Sequence, residues 1–185
     1  MFLRSHLGRL AAVAGVLAVL AARLAGQPDG EDELKSATLL AFVQNTHWKE
    51  PLAANSPITV GVAGRKPFLQ HLRAAIEGKV VDGHPLRVLE VTALADPHCC
   101  QVLYFATDKI EEIAPLAESA GAAHVLTVGE TDHFLDRGGA VNLFLTDGHM
   151  TFEVSLETLA RSGIEISARL LRFGQIRERP KGRRL

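Results

Sequence analysis

The chain has 185 residues, enough for one domain with a well-buried core, and its 47% hydrophobic and 22% charged residues are those of an ordinary globular protein. That balance excludes a disordered chain and shows no nucleic-acid-binding character. Net charge is −1, but Arg4, Arg9 and Arg23 fall in an N-terminal leader; without them 17 basic residues face 21 acids, a statement about solubility more than function.

Arg4, His6 and Arg9 form a basic n-region, Leu10–Ala22 an uncharged apolar run, and Leu24-Ala25-Gly26 a small-residue cleavage site before Gln27. The run is shorter than the roughly 20 residues that span a bilayer, and Arg23 closes it. Residues 1–26 read as a cleaved secretory signal, with an uncleaved anchor or a core helix as alternatives. Residues 27–32 (QPDGED) read as a mobile spacer, and the domain runs over 33–176.

Glu33–Trp48 reads as the first helix, with Leu34, Ala37, Ala41 and Phe42 on one face that Leu39, Leu40 and Val43 broaden, so that it is expected to be buried on most sides. Trp48 near its end is a packing anchor or, more sharply, a ligand platform. Ile58–Ala63 is a β-branched run suited to a central strand. Gly64-Arg65-Lys66-Pro67 follows, with Pro67 at a natural first helical position, and the next helix stops at Gly78. A strand ending in glycine before a helix is where α/β proteins bind ligands, which singles out Arg65 and Lys66. No GxGxxG or GxxxxGK[ST] stands there, so solvated turn residues are the bland alternative.

Lys79–Asp82 and Leu86–Val91 read as strands separated by Gly83-His84-Pro85, and Gln101–Ala106 as another central strand. Cys99 and Cys100 precede it; being adjacent, they offer two buried thiols, a strained vicinal disulfide, an intermolecular link, or a redox pair. Asp108 is the expected N-cap of a helix over 109–120 that ends at Gly121, and His124–Val128 a further strand.

Gly138-Gly139 predicts a backbone reversal that needs positive φ. Val141, Leu143 and Leu145 then alternate with Asn142, Phe144 and Thr146, and Asp147-Gly148 is a strong two-residue hairpin signal before His149–Val154. Ser155 reads as the N-cap of the next helix, Gly163 as its stop, and Ser167–Leu171 as one more helix. Residues 177–185 form a basic tail without a core pattern. Strands alternating with helices predict an α/β fold: a single mixed β-sheet flanked by helices on both faces.

Chemistry-bearing patterns are sparse. The histidines are scattered, with no HExxH, and His98-Cys99-Cys100 lacks a second spaced pair of ligands, so no metal or cofactor site is expected. Asp132, His133 and Asp136 hint at acid/base work beside the Gly-Gly turn, but a solvated loop accounts for them, and no serine stands in a nucleophile elbow. The chain is not expected to be an enzyme.

Four blocks in order carry a resemblance over Glu33–Ile176: Leu34-Lys35-Ser36-Ala37 through Phe42 to Thr46-His47-Trp48; Ile58–Gly64 with Pro67-Phe68; Cys100-Gln101-Val102-Leu103-Tyr104; and Val125–Val128, Phe134, Gly138-Gly139, Asn142-Leu143, Phe152-Glu153-Val154 and Ile166–Leu171. The chain resembles the YfiR family of exported bacterial proteins. Lys49 stands where that family tends to have proline, Val154-Ser155 replaces a common Ile-Asn pair, and only the adjacent cysteines are present. The resemblance implies a periplasmic regulator that represses a membrane-bound diguanylate cyclase, release of which raises cyclic di-GMP and favours biofilm. It also implies a membrane signalling partner, a cyclase or a sensor kinase. No nucleic acid is implied, and a homodimer stays open. A periplasmic small-ligand sensor of α/β type is the alternative.

Overall fold

A computed structural model describes residues 28–92 and 96–177. Helix α1 (Pro28–Gln44) leads through β1 (Thr46–Trp48) to β2 (Ile58–Gly64), α2 (Lys66–Ile76), β3 (Val80–Val81) and β4 (His84–Glu90). Then come β5 (Val102–Ala106), α3 (Ile110–Ala122), β6 (Leu126–Gly129), β7 (Val141–Thr146) and β8 (His149–Ser155). Helix α4 (Leu156–Arg161), β9 (Ile164–Ile166), α5 (Ala168–Leu171) and β10 (Gln175–Arg177) complete the fold.

Eight strands form one mixed sheet in the order β10-β8-β7-β6-β5-β2-β4-β3, and β1 and β9 form a separate antiparallel ribbon. The α/β expectation therefore holds, with this ribbon as an addition. Strands β4, β2, β5, β6 and β7 are mutually parallel. Counted along the chain they stand in the order 2-1-3-4-5, one of the two common doubly wound arrangements. Alternation along each strand feeds two cores. Val60, Val62, Val102, Tyr104 and Val128 point to the face covered by α1 and α2. Ala63, Leu103 and Phe105 point to the face covered by α3 and by Phe134 and Leu135.

Several boundaries differ from the sequence reading. Residues 28–32 are helix instead of spacer, and Asp32 is buried. The first helix ends at Gln44, because Asn45 and Thr46 turn their side chains back onto the carbonyls of Ala41 and Phe42. Trp48 therefore lies on a strand, paired with Ile164. The turn between β3 and β4 is Asp82-Gly83, both at positive φ, so β4 begins at His84 and includes Pro85. Helix α3 is capped without a side-chain bond at Lys109; Asp108 is not its cap, and Thr107 accepts from the Lys109 amide instead. His124 sits at φ +62 and β6 starts two residues later. The last predicted helix is only four residues long, and β9 and β10 frame it.

The hairpin is as the sequence dictates. Asp147 and Gly148 are both at positive φ, and β7 pairs with β8 from Val141↔Val154 to Thr146↔His149. Ser155 Oγ accepts from the Thr158 amide at 3.2 Å, as an N-cap should. Gly138 takes φ +91, whereas Gly139 is needed for space, its missing side chain leaving room for the Phe134 ring.

Candidate functional site

In a doubly wound sheet, ligands bind outside the carboxyl ends of the strands at the point where the connections diverge. Here β2 leads through α2 to its neighbour on one side, β4, and β5 leads through α3 to its neighbour on the other, β6. The two helices lie on opposite faces, so the divergence falls between β2 and β5. A crevice of about 700 Å³ opens there, lined by the two strand-to-helix turns (Gly64-Arg65 and Ala106–Lys109), by Glu130 at the end of β6, and by Glu31, Asp32 and Lys35 of α1.

Gly64 makes the close approach possible. Its φ is +121, and a Cβ there would stand 2.2 Å from the carbonyl oxygen of Ala106, which accepts from the Arg65 amide at 2.9 Å. No other residue lets β2 end against β5 in this way.

The floor is a buried charge network. Lys35 Nζ lies 2.5 Å from Glu130 and 2.6 Å from Glu31. Arg65 Nη2 lies 3.2 Å from Asp32 and 3.6 Å from Glu130. Tyr104, wholly buried and tilted against the Phe68 ring, donates its hydroxyl to Glu130 at 2.6 Å. The Lys35 side chain is 8% exposed and those of Glu130 and Asp32 12%, so these charges are held away from bulk water, while Arg65 at 45% faces the opening. Burial alone lowers the pKa of Lys35 and Arg65, but the surrounding carboxylates outweigh it and both are raised. Burial first, and then the Glu130 charge, push the Tyr104 phenol far above its usual range, so it is a fixed hydrogen-bond donor.

A groove of about 750 Å³ on the other face lies between α3, the Leu135–Gly138 turn and α4. Its ion pairs are exposed ones, Arg137 with Glu111 at 2.6 Å and Arg177 with Asp136 at 3.3 Å. Such pairs are worth little and orient little. The crevice is the better candidate because its charges are buried and positioned.

Of the residues singled out from sequence, Arg65 lines the crevice. Lys66 points away, exposed and loosely paired with Glu90 at 3.8 Å. Trp48 lies beyond the opposite end of α1, partly buried against the main core, so it and Arg65 do not share a site. Cys99 and Cys100 are free thiols before the start of β5, at the far end of the strand from the crevice, with sulfurs 3.5 Å apart. Gly138, Gly139, Asp147, Gly148 and Ser155 hold turns and a cap. His133 and Asp136 meet at 3.1 Å on the exposed surface. Among the described residues no three His, Cys, Asp or Glu side chains are placed to hold a metal ion, and no helix is long and apolar enough to cross a membrane.

Asp32, Lys35, Tyr104 and Glu130 escape a sequence reading. One signal was present: Tyr104 is the only tyrosine and sits in the fully apolar strand VLYFA, where a buried hydroxyl demands a partner. The partner itself lies on another strand end and is not readable from spacing.

A family model described as YfiR/HmsC-like matches residues 32–175, well over half of the chain. The chain belongs to the YfiR/HmsC-like family. The matched span opens at Asp32 and includes Lys35, Arg65, Tyr104 and Glu130, so the whole crevice except Glu31 is family territory. No individual curated protein matches the chain significantly. As a family, YfiR/HmsC-like proteins are periplasmic, regulatory and non-catalytic, belong to cyclic di-GMP signalling and act with a membrane signalling partner.

Proposed function

We propose that this YfiR/HmsC-like protein is exported by its N-terminal leader and acts in the periplasm as a non-enzymatic regulator. It binds the periplasmic part of a membrane signalling protein and represses a diguanylate cyclase. The family match over residues 32–175 carries this reading. The leader, residues 1–26, lies outside the described residues. Repression requires that the regulator bind one conformation of its partner better than the other, since equal affinity shifts nothing.

The test is deletion of the gene in its native host together with co-purification from solubilised membranes. Raised cyclic di-GMP on deletion, and recovery of a membrane cyclase or sensor kinase with the tagged protein, are the expected results. Unchanged cyclic di-GMP and no membrane partner would overturn the reading. N-terminal sequencing of the protein recovered from the periplasm is expected to begin at Gln27.

The crevice favours a second reading, a small-ligand sensor, because it lies where doubly wound sheets bind ligands and presents Arg65 to solvent. A thermal-shift screen with nucleotides, aromatics and amino acids tests it. Stabilisation that disappears in Arg65→Met supports it, and a flat screen counts against it.

A further inference from the structure

Helix α1 buries one stripe at helical spacing: Asp32, Lys35, Ser36, Leu39, Phe42 and Val43. The chemistry of that stripe changes half way along. Its C-terminal half is apolar and sits in the main core, with Phe42 edge-on to Phe152 at a centroid distance of 4.9 Å. Its N-terminal half is polar and reaches across the crevice through ion pairs, Lys35 to Glu130 and Asp32 to Arg65. Leu34, the large aliphatic residue of those first turns, points to solvent. The two halves are therefore held by different forces. Apolar burial is spread over many contacts, whereas the polar half hangs on a few directional ones whose charges water can solvate once they part.

We propose that residues 30–36 of α1 are a strap, closed over the crevice by the Lys35–Glu130 latch and the outer Asp32–Arg65 clasp, which opens while the rest of α1 stays docked. Opening carries Glu31, Asp32 and Lys35 out of the crevice wall and leaves Glu130, Arg65 and the Tyr104 hydroxyl facing whatever enters. Little apolar surface is exposed in the process, which places the strap at the low-stability end of the fold. The device goes beyond the regulatory reading and does not depend on the identity of a partner.

Amide hydrogen exchange on the purified mature chain tests it. In the wild type, the amides of residues 32–36 are expected to exchange at least about tenfold faster than those of 39–44, and high salt widens the gap by screening the outer clasp. Glu130→Gln is expected to speed exchange in 32–36 by a further factor of about ten, leaving 39–44 and β5 unchanged. Equal acceleration along all of α1, or none, would overturn the proposal. Should Glu130→Gln fail to fold, Arg65→Met removes the half-exposed clasp with Asp32 and the looser contact with Glu130 while keeping the Lys35–Glu130 pair, and is expected to give a confined acceleration of about threefold; a spread-out response there overturns it equally.

Discussion

The Tyr104 hydroxyl donates to Glu130 at 2.6 Å from the middle of a fully buried strand, joining β5 to the end of β6 across the crevice floor. Ionising that phenol would set a wholly buried phenolate against a carboxylate. Burial and the Glu130 charge accordingly raise its pKa well above the ordinary value of 10.0. The unfolded chain loses the proton near pH 10 and the folded chain keeps it. The stabilisation is thus fully present below pH 10 and is lost as pH rises above it, at about 1.4 kcal/mol per pH unit. Lys35, also raised, acts in the same sense at still higher pH. Because the chain holds one tyrosine, the phenolate absorbance reports this group alone. It should appear only together with loss of the far-ultraviolet dichroism. A phenolate titrating near pH 10 in a protein that is still folded would contradict the pair.

Gly139 and Gly148 look alike as turn glycines but do different jobs. A Cβ on Gly139 would stand 2.2 Å from Phe134 Cε1, and one on Gly129, on the ring's other contact, 2.6 Å from its Cγ. The ring is fully buried and packs on Phe105 at 5.4 Å, so it has nowhere to move. Gly139→Ala is expected to cost about 3 kcal/mol through overpacking. Gly148, at φ +78 with open space around its Cβ position, should cost about 1 kcal/mol on the same change, the backbone penalty alone. Urea denaturation ranks the two, and equal costs would show that the ring accommodates the methyl. Adding Phe134→Leu to Gly139→Ala should give less than the sum of the two single losses.

These contrasts show what the sequence carried. Asp147-Gly148 and Ser155 were legible because their chemistry is local: the turn and the cap are satisfied within three residues. The same Asp-Gly signal stands at Asp82-Gly83, where Pro85 draws attention one turn too late. The crevice was half legible, Arg65 from the strand–glycine–helix punctuation but not its partners. Glu130, Lys35 and Tyr104 meet only because parallel strands bring distant ends together. Helix α1 misled for the same reason. Its buried stripe is polar over the first half, so apolar spacing finds Leu39, Phe42 and Val43 in the second half but points in the first half to Leu34 and Ala37, which face solvent. What distinguishes that helix is the burial of charge, and periodicity of apolar residues cannot register it.

Ser155 should behave as a cap and nothing more. Its Oγ accepts from the Thr158 amide at 3.2 Å and lies 3.0 Å from the Thr158 hydroxyl, at the start of a six-residue helix that has few other resources. Ser155→Ala is expected to lose about 1 kcal/mol in thermal or urea unfolding, and Ser155→Asn to retain stability to within a few tenths, since asparagine supplies the same acceptor. A loss in Ser155→Asn as large as in Ser155→Ala would mean that the hydroxyl's second contact, with Thr158, is what matters.

Cys99 and Cys100 are neighbours in different environments. Their sulfurs are 3.5 Å apart, yet Cys99 is half-buried while Cys100 is 2% exposed, pressed against the space beside Gly61 and Val91. Burial first, and then the adjoining Cys99, push the Cys100 thiol far above its usual pKa. Since the thiolate is the reactive species, the two should separate kinetically with a thiol-specific disulfide reagent. One thiol reacts in the folded, reduced protein, and the second only on adding denaturant. Cys99→Ser should remove the fast reaction, whereas Cys100→Ser should leave it in place. Two fast thiols would mean that the start of β5 opens readily, and no titratable thiol after reduction and refolding in air, in a chain that runs as a monomer without reductant, would identify the pair as a vicinal disulfide.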